Sequence, residues 1–337
     1  MPSHLSALAS LPALRDIDAA DALDLANTDA PSALVELGRA LQREGYRFVT
    51  VTPLTHRRVN ARPENAWAKN LTDVFGWSRP FKNSVLPASI EELMHAAGIV
   101  EQVSDGWRSR LRASTLGSQL FFHSAYPTTA ADAVFFGPDT YRFIRAIDAE
   151  LATCRQPIRR AADIGCGAGP GALAIAARHP QAEVLAIDIN DDALSLAAVN
   201  AALAGASRVR PCHSDLLKNV DGSFDLIVSN PPYLVDRSHR AYRDGGGELG
   251  DALSIAIIDA AITRLAPGGL LWIYTGVAFI DGEAPFLRAA AERLERAGFR
   301  WRHEEIDPDV FGEELEEACY AHADRIAAMW IAGQKPA

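Results

Sequence analysis

The chain has 337 residues, of which 48% are hydrophobic and 23% charged, and its formal net charge is -10. This globular composition supports one large domain and one smaller one. Its acidity excludes a molecule drawn as a whole to phosphate backbones or anionic membranes. Four widely spaced cysteines (Cys154, Cys166, Cys212 and Cys319) make no metal-type pair and read as reduced thiols of a cytoplasmic protein. The N-terminus lacks the basic start of a secretion signal. No stretch approaches the roughly 18 uncharged apolar residues of a membrane span.

In chain order, residues 1–28 are an alanine-rich, acidic lead with little structural signal. "DAPSALVELGRALQREGY" predicts a helix with Pro31 in its first turn, Leu34, Leu37 and Leu41 on one face, and Gly45 at its C-cap. "RFVTVT" predicts a short strand. A basic stretch follows, where Arg57, Arg58, Arg62, Lys69, Arg79 and Lys82 interleave with Trp67, Phe75 and Trp77. "ASIEELMHAAG" predicts a helix, with Ser89 and Glu92 in capping-box spacing. Asp105-Gly106, between two alternating runs, predicts a hairpin. A helix followed at once by a hairpin resembles a winged-helix unit. "QLFFHSAY" adds a strand, which completes a small α/β domain ending near residue 130.

From 131 to 337 short apolar strands alternate with helices of about three turns, which predicts a parallel sheet with both faces covered. "FRWRHEEID" and "DRIAAMWIAG" supply two last strands around an acidic, helix-like insert, and they fit an antiparallel edge.

"ADIGCGAGPGALAIA" carries the strongest ligand signal. A buried strand ends at Ile164, then Gly165, Gly167 and Gly169 let the backbone turn tightly and approach a ligand before a helix begins. Asp163 stands just before the loop. A carboxylate there repels a pyrophosphate and suits an ammonium or sulfonium group. Asp188 ends the next strand, 19 residues after Gly169, where an acid accepts both hydroxyls of a ribose.

The loop "DIGCGAG" and that acid resemble the first two motifs of class I S-adenosylmethionine-dependent methyltransferases. "DLIVSNPPYLV" adds the "NPPY" of enzymes that methylate nitrogen on a planar carbon, and "LAPGGLLWIYTG" extends the likeness. Over about 135–332 the chain resembles the release-factor glutamine methyltransferase group. The resemblance implies a doubly wound, seven-stranded, mostly parallel Rossmann-like sheet. It implies S-adenosylmethionine contacts from Asp163, Gly165, Cys166, Gly167 and Gly169, then from Asp188 and Ile189. Asp215 and Leu216 follow in "HSDLL", Asp215 accepting from the adenine amino group or merely capping a helix. Asn230 completes the set.

The chemistry accounts for the residue types in "NPPY". An amide or aryl amino nitrogen delocalises its lone pair and attacks a methyl group only when its N–H groups are held. The Asn230 side-chain carbonyl and the Pro231 carbonyl are the two acceptors, Pro231 and Pro232 fix their direction, and Tyr233 offers a flat face. The chain departs from the group in the loop "DRSHRAYRDGGGELGDALS", in the absence of an acid-glycine pair after "APGG", and in its mixed N-terminal domain, the part that in the group chooses the substrate. "RDGGGELG" reads as a mobile lid, with Arg243, Asp244 and Glu248 as candidate substrate readers. Thr140 and Tyr141 border the cofactor or only cap a helix.

The expected partner is a protein of the release-factor type. RNA is the alternative, from the basic and aromatic stretch 57–82, and a small molecule is a further acceptor class. No membrane partner and no metal are expected. A non-catalytic binding protein is disfavoured by the intact Asn230 and Tyr233.

Overall fold

The computed structural model describes residues 30–238 and 240–337, so the lead at 1–28 lies outside the described residues. α1 (Ala30–Arg43) carries Pro31 in its first turn and buries Leu34, Leu37 and Leu41, as the spacing predicts. α2 (Pro53–Asn60) and α3 (Leu71–Phe75) begin with side-chain caps from Thr52 and Asn70. α4 (Ala88–Ala96) runs into the hairpin of β1 (Val100–Val103) and β2 (Gly106–Ser109). Val103 pairs with Gly106, which puts Ser104 and Asp105 in the turn, one residue earlier than the sequence suggests. A second hairpin, β3 (Leu111–Leu116) and β4 (Gln119–Ser124), holds the strand expected at "QLFFHSAY".

Two local expectations fail here. Residues 47–52 are extended, but they belong to no strand. A single backbone bond, from the Thr115 N–H to the Phe48 carbonyl at 2.8 Å, joins them to β3, and side chains take the other places: Phe48 N–H donates to Thr115 Oγ1 at 3.3 Å, and Thr50 N–H donates to the Tyr141 hydroxyl at 3.1 Å. The capping box at Ser89 does not form. Pro87 is the N-cap of α4 and provides no side-chain bond, and its fixed φ starts the helix before Ser89.

The second half builds one seven-stranded sheet. Its elements are α5 (Pro138–Thr153), β5 (Arg160–Ile164), α6 (Pro170–Arg178), β6 (Glu183–Asp188), α7 (Asp191–Leu203), β7 (Val209–His213), β8 (Phe224–Ser229), α8 (Ala252–Arg264), β9 (Leu265–Phe279), α9 (Pro285–Arg296), β10 (Arg300–Asp307) and β11 (Arg325–Gln334). The order is β10-β11-β9-β8-β5-β6-β7. β11 runs antiparallel to β9 and β10, and the other pairs are parallel, as expected. The acidic insert between β10 and β11 holds two short 3-10 turns.

Both sheet faces are covered, so the central strands are apolar throughout: Leu226, Ile227 and Val228 are all fully buried. On one face Leu34, Leu37 and Phe122 of the N-terminal half join Val184, Leu226 and Trp272 in a continuous core. The other face packs Ile164, Ile227 and Ile273 against Ile257 of α8 and Leu294 of α9. Among the described residues no helix is long and apolar enough to cross a membrane.

Candidate functional site

Parallel register decides which residues meet. Ile164 pairs with Ser229 and with Ile187, and Asp188 pairs with His213. Gly165, Asn230, Asp188 and Asp215 therefore gather at one sheet edge, spread over about three strand spacings, roughly 14 Å. Ser229 Oγ donates to the Ile164 carbonyl at 2.6 Å, which clips the end of β8 to that of β5. A cavity of about 400 Å³ opens there, and every residue assigned from the sequence to the cofactor or to the "NPPY" turn lines it except Gly169. Gly169 instead caps α6, in the left-handed region at φ 84.

Gly165 and Gly167 also take positive φ, 68 and 52, and a Cβ built on Gly165 meets nothing within 4 Å. The loop thus presents bare backbone to the cavity. Asp163 is buried, and its Oδ2 accepts the Ala172 N–H at 2.8 Å at the start of α6. Burial pushes its pKa up to about 7, with Asp188 adding in the same direction. One oxygen is thus spent on the helix, which the sequence did not reveal. Cys166 is a buried wall residue whose thiol burial pushes well up.

Asp188 Oδ2 accepts the Gly167 N–H at 2.9 Å, and Oδ1 accepts the Asn190 N–H at 3.0 Å. Each oxygen keeps acceptor capacity for a hydroxyl. Burial raises this carboxyl too. Ile189 beside it is 57% exposed, an apolar surface suited to a flat ring. Asp215 reaches the cavity with its carboxylate already paired to Lys218 at 2.5 Å. Leu216 follows in the left-handed region, at φ 53.

Asn230 is the most informative residue. Its side-chain oxygen is buried and accepts no hydrogen bond. Buried acceptors rarely stay unpaired, at a cost of about 1–3 kcal/mol. Pro231, Pro232 and Tyr233 line the cavity next to it. Tyr233 is only 8% exposed, and a Cβ on Gly276 would lie 2.3 Å from its Cδ2. The ring is therefore a packed wall rather than the open platform expected.

The glycine-rich loop is not a free lid. Leu234 N–H donates to the Arg243 carbonyl at 3.2 Å, and Gly245 N–H donates to the Leu234 carbonyl at 2.8 Å. A Cβ on Gly245 would fall 1.9 Å from the Gly250 carbonyl oxygen and 2.7 Å from that of Pro232. The glycines serve close backbone approach, and the loop braces the "NPPY" turn. Arg243 is held by Glu314, while Glu248 is exposed outside the cavity. Thr140 lines the cavity and also accepts the Gly137 N–H at 3.3 Å, whereas Tyr141 turns to Thr50.

Several residues escaped the sequence reading. Asn200 Nδ2 donates to the carbonyls of Phe122 and Ala168 at 3.1 and 2.9 Å, and its Oδ1 accepts the Phe122 N–H at 2.9 Å. A lone asparagine in "LSLAAVNAALAG" was the available signal. Tyr242 stacks on Phe135 and donates to the Thr128 carbonyl at 2.6 Å, roofing the cavity. In the basic stretch, Arg79 is buried against Asp73 and Lys82 pairs with Asp105, which leaves Arg57, Arg58, Arg62 and Lys69 exposed.

Residues 145–280 match the family described as "Methyltransferase small domain". The chain is 31% identical over 257 residues to the release factor glutamine methyltransferase of Moorella thermoacetica, covering 72% of this chain and 87% of that protein. The chain belongs to the release factor glutamine methyltransferase family. The family protein of Deinococcus radiodurans is 36% identical over 198 residues, 56% of this chain and 66% of that one. The family protein of Xylella fastidiosa strain 9a5c is 43% identical over 125 residues, 34% of this chain and 45% of that one. The chain thus spans less than two thirds of these two family members. The cavity residues fit the family's methyl donor, S-adenosylmethionine: bare glycine backbone, an acid with spare acceptor capacity, an exposed isoleucine and an unpaired amide oxygen.

Proposed function

We propose that this chain methylates the side-chain amide nitrogen of a glutamine in a protein, using S-adenosylmethionine. When bound, that cofactor supplies an electrophilic methyl group on a sulfonium. The Asn230 oxygen carries the reading, as a buried acceptor that an amide N–H would satisfy. Holding the N–H groups at Asn230 and at the Pro231 carbonyl orients the amide nitrogen, and the two prolines keep reorganisation small. With the cofactor bound, the held amide nitrogen would take its methyl group, and the sulfur would leave as a neutral thioether. The nitrogen's proton becomes acidic after transfer and passes to water, so no strong base is needed. Asp163, the glycine loop, Asp188, Ile189, Asp215 and Leu216 are assigned to the donor, and Pro231 to Tyr233 to the acceptor.

In this reading residues 131–337 are the catalytic domain, and residues 1–130 form a winged-helix-like recognition domain. The protein works in the cytoplasm, in keeping with its four free cysteines. The acceptor's relation to release factors rests on the relatives' names. An exocyclic amino group of an RNA base is the second reading, favoured by exposed Arg57 and Arg58 on α2, whose first residue Pro53 lines the cavity.

The test is radiolabelled methyl transfer into cell extract, separated into protein, RNA and small molecules. Label in protein glutamine is expected, and label confined to RNA or small molecules refutes the glutamine reading. Asn230→Ala is expected to lower turnover by about 10²–10³, with S-adenosylmethionine affinity kept within a few-fold. Full turnover in that variant would remove Asn230 from the mechanism.

A further inference from the structure

The extended segment 47–52 leaves one of its sides open. Exposure alternates along it: Arg47 and Val49 are exposed, while Phe48 and Thr50 are buried. That is the pattern of a strand with one face on the core. Phe48 turns its N–H and its carbonyl toward β3, where both bond Thr115, and the Thr50 N–H reaches Tyr141. By the same alternation the N–H and carbonyl groups of Arg47, Val49 and Val51 point the other way. Among the described residues they have no hydrogen-bond partner. Backbone groups without protein partners face water, so the segment is a free β-edge beside the hairpin.

The edge is apolar where it is open, and it leads to the cavity. Val49 is 62% exposed, and the other large apolar side chain left exposed among the described residues is Ile189 on the cavity wall. Val49 stands four residues, about 13 Å of extended chain, before Pro53, an exposed residue on the cavity rim. Tyr141, which holds Thr50, follows the cavity residue Thr140. Arg47 on the edge and Arg57 and Arg58 on α2 are exposed and pair with no carboxylate among the described residues, in a chain of net charge -10. An open edge takes up an extended chain, with backbone bonds giving affinity and alternate side chains giving selectivity.

We infer that residues 47–52 are a docking edge, on which an extended segment of the protein acceptor adds as a β-strand and delivers its glutamine past Pro53 into the cavity. The Val49 N–H donates to that segment and the Val49 carbonyl accepts from it. An apolar acceptor side chain covers Val49, and acidic ones lie toward the unpaired arginines. An edge that runs to the cavity rim fits a substrate better than a second copy of this chain, whose pairing would need no cavity. The inference rests on the proposed methylation of a protein glutamine.

The test uses the full chain and, as acceptor, the protein that wild type labels in cell extract. Hydrogen–deuterium exchange at the Val49 and Val51 amides is expected to be fast without acceptor and to slow by about tenfold or more at saturating acceptor. Val49→Pro removes an edge N–H that no described residue uses, and Val49→Ala trims the apolar face but keeps the N–H. They are expected to raise KM for the acceptor by about tenfold and about threefold, with kcat kept within about twofold and S-adenosylmethionine affinity within about threefold. Val49→Ile keeps both features and is expected to match wild type. Slow exchange before acceptor is added, exchange that acceptor leaves unchanged, or an unaltered KM in both variants would overturn the inference. So would a loss confined to kcat, or a wild-type dimer that Val49→Pro dissociates in sedimentation, which would give the edge to a second copy. Wild type that labels no protein refutes the glutamine reading and the docking edge with it. Label in protein with unimpaired Val49 variants refutes the docking edge alone.

Discussion

Protonation of Asp163 offers the most direct probe of the donor end. Its carboxyl is 1% exposed, and burial raises its pKa from 3.8 to about 7. That displacement of about three units corresponds to about 4 kcal/mol. Between the two values the folded protein holds a proton that the unfolded chain has lost. The stabilising contribution is therefore complete below about pH 4 and declines as pH rises to about 7. Asp188 and Cys166 face Asp163 from the neighbouring strand end and loop, and burial raises both. A bound sulfonium and ammonium favour the ionised form, so binding is expected to expel a proton in the same window. Affinity for S-adenosylmethionine then rises by up to about tenfold per pH unit, about 10³ in all at the limit.

Calorimetric titration of the ligand-free protein, in two buffers of different ionisation enthalpy, counts that proton directly. Asp163→Asn keeps an oxygen for the Ala172 N–H while removing the charge. The variant is expected to lose the pH slope of binding. Without ligand it is also expected to be more stable than wild type near pH 8, by as much as about 4 kcal/mol at the limit. A wild-type affinity that is flat with pH, or a slope that survives Asp163→Asn, would refute the account.

Asn200→Ala removes an amide that serves three backbone groups, at Phe122 and Ala168. It is expected to cost about 3–5 kcal/mol by urea denaturation, and a loss below about 1 kcal/mol would show that water replaces it. Gly276→Ala drives a methyl group to 2.3 Å from Tyr233 Cδ2. A stability loss of about 1–3 kcal/mol is expected, with methyl transfer falling further than cofactor affinity, and unimpaired transfer would show that the ring can yield without harm.

The sheet was legible because its signals are local. "EVLAIDI" and "SFDLIVSN" read as buried strands, and alternation with helices of ordinary length sets the parallel class. The glycine loop, Asp188 and Asn230 were legible for the same reason: each sits where a strand stops. Residues 47–52 misled because β-propensity says nothing about partners, and here one backbone bond to Thr115 and side chains from Thr115 and Tyr141 stand in for a full ladder. Ser89 misled because Pro87 starts the helix first. "RDGGGELG" misled because glycine serves both freedom and close approach, and the Gly250 and Pro232 carbonyl oxygens decide for the second. Asp139 could not be read as a partner of Tyr274, since 135 positions separate them and only the fold brings them together.

The two ends of the cavity are built on different principles. The end we assign to the methyl donor consists of strand termini whose positions follow from parallel register, so few residues are needed to specify it. The end we assign to the acceptor has no such template. It is assembled from Tyr126 and Thr128 before the sheet, from Arg240 and Tyr242 in the loop, and from Phe311 near the chain's end. Tyr242 ties two of these segments together at Thr128, and the Ala241 N–H adds a bond to the Ala131 carbonyl at 3.1 Å. Substitution in that roof can alter which molecule reaches Asn230 without touching the strand ends that would hold the donor. In this reading selectivity is free to diverge among chains that share one methyl-transfer chemistry, through contacts made between segments more than a hundred residues apart.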